Sequence, residues 1–242
     1  MSVDDLTVAG NVIATRLPSV DPGLHAWWSD FASQDATIAA GQHLLSAAER
    51  ERAARFGTAE LRARYVAARA TLRLLLGRYL GIAGEDVPLA HAHRGRPVLQ
   101  LANAPDFNVS HTRDCALFAI SPSLRISVDL ERRDRSVDAA RLSRKFLTAH
   151  EREAMDALPA GARREYFLRL WTCKEAMSKA TVDGLSAPLA QMSVSARGRQ
   201  LALTGGPPPY VAADWQLRLI DVPDSHVATA ALWRPSNNPT PD

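Results

Sequence analysis

Apolar residues along the chain recur at two spacings, every three to four residues and every second residue. Their interleaving predicts helices mixed with short strands. Residues 11–17 alternate apolar with polar and read as a strand. Asp21-Pro22 then reads as a helix start, Asp as cap and Pro at the first helical position, for a helix carrying Trp27, Trp28 and Phe31. Ser46-Ala47-Ala48-Glu49 is a capping box, and Gly57 stops the short helix it opens. Thr58 caps a longer helix that runs to Tyr79 and ends at Gly81, with a stripe of Leu61, Tyr65, Ala68, Leu72, Leu75, Leu76 and Tyr79. Residues 87–101 read as short strands and turns, the sharpest turn being Arg94-Gly95-Arg96-Pro97. Strands are predicted at 107–111, 116–120 and 125–131, and helices at 137–147 and 148–158, the second opened by the capping box Thr148-Ala149-His150-Glu151. A long helix follows from near Ala162 to Gly184, its stripe formed by Tyr166, Phe167, Leu170, Trp171 and Met177. Strands at 191–196, 215–222 and 227–233 complete the pattern, with 205–209 as a loop and 235–242 as a polar, disordered tail.

Composition narrows the class. At 242 residues, 46% hydrophobic and 23% charged, the chain reads as a soluble globular protein able to bury a proper core as one domain or two halves. No apolar run approaches a membrane span. The acidic start Met1-Ser2-Val3-Asp4-Asp5 lacks the basic and apolar regions of a signal peptide, so a cytoplasmic protein is expected. Cys115 and Cys173 form neither a disulfide framework nor a metal-ligand pattern. A net charge of +3 and a pI near 9.1 suit an anionic partner: nucleic acid, a phosphate-rich small molecule or an acidic protein.

Candidate chemistry concentrates in three places. On the long helix Glu175 and Lys179 are four apart and share a face. Such a pair is commonly a solvated stabiliser worth about 0.2–0.5 kcal/mol. However, of 29 basic residues only Lys145, Lys174 and Lys179 are lysines, and two of these flank this one glutamate. Arginine cannot replace a compact ammonium without changing geometry, which favours chemistry here. On the strand at 125–131, Asp129 and Glu131 are two apart and project from one face. They repel unless a cation stands between them, and Mg²⁺ takes such oxygens together with substrate phosphates. An edge strand neutralised by Arg132, Arg133 and Arg135 is an equal alternative on these residues alone. Finally, Gly95 lets backbone approach a phosphate that Arg94 and Arg96 could hold, although locally a basic hairpin tip is the simpler reading. Of the arginines on the helix after Thr58, including Arg62, Arg64, Arg69, Arg73 and Arg78, most are a solvated face and one or two serve a ligand. Ser110 and His111 are neighbours on a strand and point to opposite faces, which argues against a nucleophile-base pair and for two phosphate donors. His91 and His93 have no third ligand nearby and read as surface residues.

Four stretches, in order and with matching separations, resemble the 4′-phosphopantetheinyl transferase superfamily, in its larger surfactin-synthetase-activating type. They are Gly95-Arg96-Pro97 for a Gly-Lys-Pro turn, Phe107-Asn108-Val109-Ser110-His111-Thr112 for Phe-Asn-x-Ser-His-Ser, residues 126–131 for a Gly-x-Asp-x-Glu strand, and Trp171 to Ala180 for Trp-x-x-Lys-Glu-Ala-x-x-Lys-Ala. Ser127 replaces the usual glycine and Arg96 the usual lysine. The resemblance implies an α+β, pseudo-twofold fold of two similar α/β halves with the active site in the cleft between them: residues 1–122, 123–234, and the tail 235–242. It implies transfer of the 4′-phosphopantetheine arm of coenzyme A to a serine of an apo acyl or peptidyl carrier protein, with release of 3′,5′-ADP. Asp129, Glu131 and Glu175 would hold Mg²⁺. Glu175 and Lys179 would be catalytic, and Arg64, Arg69, Arg94, Gly95, Arg96, Pro97, Ser110, His111 and Lys174 would contact coenzyme A, with Lys174 alternatively neutralising acidic neighbours. A monomer without nucleic-acid or membrane partners is implied. The competing readings are another Mg²⁺-dependent transferase or hydrolase of a nucleotide diphosphate, and a basic nucleic-acid-binding protein.

Overall fold

The chain, as a computed structural model, is described for residues 4–8, 10–19, 21–31, 41–136 and 138–235. In chain order its elements are β1 (Leu6–Val8), β2 (Asn11–Arg16), β3 (His25–Asp30), α1 (Ala47–Ala54), α2 (Ala59–Leu80), β4 (Leu89–His91), β5 (Pro97–Leu99), β6 (Asp106–Thr112), β7 (Cys115–Ser121) and β8 (Arg125–Arg132). There follow α3 (Ala139–Phe146), α4 (Ala149–Asp156), α5 (Ala160–Thr181), β9 (Ser193–Arg197), β10 (Gln200–Gly205), β11 (Trp215–Leu219) and β12 (His226–Trp233). The strands form two five-stranded antiparallel sheets, β1-β2-β3-β7-β6 and β8-β12-β11-β10-β9, with β4-β5 as a separate hairpin. The fold is thus α+β with two sheet-containing halves.

Three apolar layers follow from the period of two in the strands. Ala116, Phe118 and Ile120 of β7 face α2, whose Ala67, Leu72, Leu75 and Leu76 cover them. Val227 and Ala231 of β12 face α5, which contributes Phe167, Leu170, Cys173, Ala176 and Met177. The intervening residues, Leu117 and Ala119 of β7 with Ala228, Ala230 and Leu232 of β12, meet in a third layer between the sheets. Strand β8 joins that layer through Ile126, Val128 and Leu130. Its alternate residues Ser127, Asp129 and Glu131 are therefore directed to the α5 side, which sets up the site.

The long helices start and stop as their sequences direct. Thr58 Oγ1 accepts Leu61 N–H at 3.2 Å, and Gly81 closes α2 in the left-handed region (φ 74°). The capping boxes at Ser46 and Thr148 are both complete. The segment with Trp27 and Trp28 corrects an expectation: it is strand β3, paired with β7 from His25↔Ile120 to Asp30↔Cys115. Asp21 Oδ1 accepts Gly23 N–H at 2.9 Å in a local turn and caps no helix. Strand and helix were confusable because β3 lies inside its sheet with both faces covered, Trp27 in the α2 layer and Ala26 in the layer between the sheets. Strands β1 and β10 are additional, and the tail at 236–242 lies outside the described residues.

Candidate active site

Strands β6 and β8 are the facing edges of the two sheets, and their junction organises the site. Every second side chain of β6 accepts a backbone N–H of β8: Asp106 Oδ2 from Ile126 at 2.8 Å, Asn108 Oδ1 from Val128 at 3.0 Å, and Ser110 Oγ from Leu130 at 3.1 Å. These side chains replace a backbone ladder, so the exposed donors of an edge strand are satisfied and β8 is held in one register. Asp129 and Glu131 then project beneath α5.

A cavity of about 390 Å³ opens there, lined by Ser110 and His111 of β6, Asp129 and Glu131 of β8, Arg135, and Trp171, Glu175 and Lys179 of α5. The last three are spaced by four, so one helix face supplies them. Lys179 Nζ donates to Asp129 Oδ1 at 2.5 Å, Ser110 Oγ at 3.1 Å and Val128 O at 3.3 Å. Glu131 Oε1 accepts Trp171 Nε1 at 3.1 Å and is also bonded by Arg135. Burial, then the neighbouring Asp129, pushes the Glu175 carboxyl above its ordinary range, and Lys179 only partly offsets them. At the rim, the enclosing walls and then Lys179 hold the His111 imidazole below its ordinary value.

Two carboxylate oxygens, Asp129 Oδ2 and Glu175 Oε1, are buried without a hydrogen-bond partner. Hard oxygens left so are a donor set suited to a small divalent cation. Among the described residues no group of three such side chains stands in metal-holding geometry; Asp129 is paired with Lys179 and Glu131 with Arg135.

Several expected ligand contacts lie elsewhere. Lys174 is fully buried, donating to Glu151 Oε2 at 2.6 Å, Leu189 O at 2.8 Å and Phe146 O at 2.9 Å, so it neutralises an acidic neighbour away from the cavity. The Arg96 guanidinium also points inward, to Asp106, Phe107 O, Ile126 O and Lys179 O, and not toward the cavity. Arg64 pairs with Glu60 and with Asp114 at 2.7 Å, and Arg69 pairs with Glu49 at 3.4 Å. Arg94 is half exposed, 3.7 Å from Asp183, and Gly95 turns the chain at φ 80° before Pro97 opens β5. None of these lines the cavity.

Comparison with known proteins decides the family. The model of the 4′-phosphopantetheinyl transferase superfamily matches residues 125–231, and that of the 4′-phosphopantetheinyl transferase N-terminal region matches 28–123. The 4′-phosphopantetheinyl transferase HetI of Nostoc sp. strain PCC 7120 is 33% identical over 221 residues, covering 88% of this chain and 90% of its own. The chain belongs to the 4′-phosphopantetheinyl transferase superfamily. The 4′-phosphopantetheinyl transferase Sfp of Bacillus subtilis strain 168 is 25% identical over 150 residues, 62% of this transferase and 66% of its own chain. A solved holo-(acyl-carrier-protein) synthase from Bacillus anthracis, in complex with CoA (3′,5′-ADP), aligns over 47% of this transferase and 98% of its own chain at 18% identity, TM-score 0.34.

Ser127, the residue at the family's glycine, is fully buried in extended strand opposite Ala231, so this transferase needs no left-handed backbone there. Trp171, Asn108 and Asp106 are site-building residues that motif reading left without roles. Their signal was present: Trp171 is four before Glu175, and Asp106, Asn108 and Ser110 are polar at every second position of a largely buried strand.

Proposed function

We propose that this transferase moves the 4′-phosphopantetheine arm of coenzyme A to a serine of an apo acyl or peptidyl carrier protein, releasing 3′,5′-ADP. The observation that carries the reading is one cavity between the halves in which Glu175, a carboxyl held above its ordinary range, faces Asp129 and Lys179. Glu175, directly or through one water, takes the proton of the carrier serine. The freed oxygen attacks the phosphorus that bears the pantetheine arm, and the bond to the 3′,5′-ADP oxygen breaks. Lys179 balances the negative charge that grows on that leaving 5′-phosphate oxygen. Asp129, Glu131 and Glu175 would hold Mg²⁺, whose charge would screen the pyrophosphate when bound. Arg135 would then exchange its partner Glu131 for solvent or ligand.

Ser110, bonded to Lys179, and His111 at the rim are the proposed phosphate contacts that line the cavity beside the reacting groups. Arg64, Arg69 and Arg94 would reach coenzyme A only by leaving their present acidic partners. For the carrier, Arg141, Arg144 and Lys145 of α3 are exposed, whereas Arg132 and Arg133 are paired with Asp134 and Glu165. A boundary near residues 122/123, between β7 and β8, a monomeric state and a cytoplasmic location belong to the same reading. Among the described residues no helix is long and apolar enough to cross a membrane. Intact-mass analysis of an apo-carrier incubated with coenzyme A and Mg²⁺ tests the function. A carrier heavier by one phosphopantetheine is expected, and hydrolysis of coenzyme A with an unmodified carrier would favour a hydrolase instead.

A further inference from the structure

The end of α5 that carries Lys179 is held from outside its own helix. The last turn of a helix leaves carbonyls without helical partners. Here Lys179 O accepts Arg96 Nη1 at 2.9 Å, Ala180 O accepts Arg125 Nε at 2.9 Å, and Val182 O accepts Arg94 Nη1 at 3.2 Å. All three arginines precede α5, two in the turn between β4 and β5 and one opening β8. Arg96 is the central one. Its side chain is 4% exposed, and its Nη2 also donates to Ile126 O at 2.7 Å, Asp106 Oδ2 at 2.8 Å and Phe107 O at 3.2 Å. One guanidinium thus joins the hairpin, β6, β8 and the final turn of α5. That turn needs external support, because Val182 lies at φ 64°, where a β-branched side chain is strained. Just beyond it Tyr210 Oη donates to Asp183 Oδ2 at 2.6 Å. On the inner side of the same turn, Lys179 Nζ reaches Asp129 and Ser110.

We propose that Arg96 is a positioning residue for Lys179: its buried fork fixes the last turn of α5 against β8, so that the lysine ammonium stands at Asp129. A lysine at this position could not serve equally, since four acceptors divided between two nitrogens need the planar fork. A phosphate at Arg96 would have to enter this buried cluster of acceptors. The catalytic significance rests on the transferase reading above, while the positional claim does not.

The test uses the scarcity of lysine. Protein labelled with ¹³C at lysine Cε should give three signals, from Lys145, Lys174 and Lys179, and Lys179→Arg assigns the one at issue. In Arg96→Gln without coenzyme A, the Lys179 signal should move while those of Lys145 and Lys174 stay. Transfer to a carrier should lose kcat by on the order of tenfold to a hundredfold, with KM for coenzyme A kept. Arg125→Gln, which removes a half-buried clamp one residue further on, should shift the same signal less, and decides the matter if Arg96→Gln does not fold. An unmoved Lys179 signal in the folded variants would overturn the proposal. So would a raised KM for coenzyme A at constant kcat, the pattern of a ligand contact. Absence of transfer by the wild-type protein would refute the functional reading alone, since the spectra still decide the position.

Discussion

Replacing Lys174 by Met should cost stability rather than coenzyme A affinity. The Lys174 ammonium is fully buried and bonded to Glu151, Phe146 O and Leu189 O. Met fills similar volume but leaves Glu151 ionised in the interior and two carbonyls without a donor. Glu151 keeps only Thr148 N–H and Val194 N–H, each at 2.7 Å. Removing one partner of a buried pair costs about 3–5 kcal/mol. For a chain of this size each kcal/mol moves Tm by about 2–4 °C, so a fall of roughly 6–20 °C is expected by circular dichroism. Adding Glu151→Gln should recover part of the loss, because it removes the buried unpaired charge, but not all of it, since the single amide oxygen cannot replace both carboxylate oxygens that accept Val194 and Thr148 N–H. A Tm within about 2 °C of wild type, with a raised KM for coenzyme A, would refute this account and return Lys174 to the ligand.

Glu175→Gln should lower transfer by roughly 10²–10⁴-fold with the fold kept, as the carrier mass shift would report. The raised Glu175 carboxyl also has a signed consequence for stability, measurable by denaturant melts in chelator. The ionised group costs stability at pH values above its folded pKa and nothing below the ordinary carboxylate value. Glu175→Gln should therefore melt later than wild type near neutral pH, and the difference should vanish as pH falls to that of a free carboxylate. Asp129→Asn should leave a folded protein whose residual transfer no longer responds to added Mg²⁺; a normal Mg²⁺ titration would remove Asp129 from the metal site. Arg141→Glu with Arg144→Glu should reduce kcat/KM for the carrier, less so at high salt, because exposed charges steer encounter and are screened. A salt-independent loss would indicate damaged packing of α3.

How much of this was legible depends on whether a residue's role is local. The i, i+4 spacing of Glu175 and Lys179 and the i, i+2 spacing of Asp129 and Glu131 are properties of a helix and a strand, so each pair could be placed on one face before any tertiary contact was known. Capping boxes and the glycine ending α2 are local in the same sense. Other features depend on what packs against them. Segment 25–30 could not be told from a helix because the α2 layer covers one face of the strand and the layer between the sheets the other, which removes the alternation that distinguishes strand from helix. The scarcity of lysine singled out Lys174, and the turn at Gly95 with the family resemblance singled out Arg96, but neither said which way the side chain points. Burial turned Lys174 onto Glu151 and Arg96 onto the end of α5, where an uncompensated charge could not remain. The Phe-Asn-x-Ser-His stretch shows both cases at once. Its motif was readable in one dimension, yet the role of Asn108 and Ser110 exists only because β8, twenty residues later, brings unpaired N–H groups alongside them.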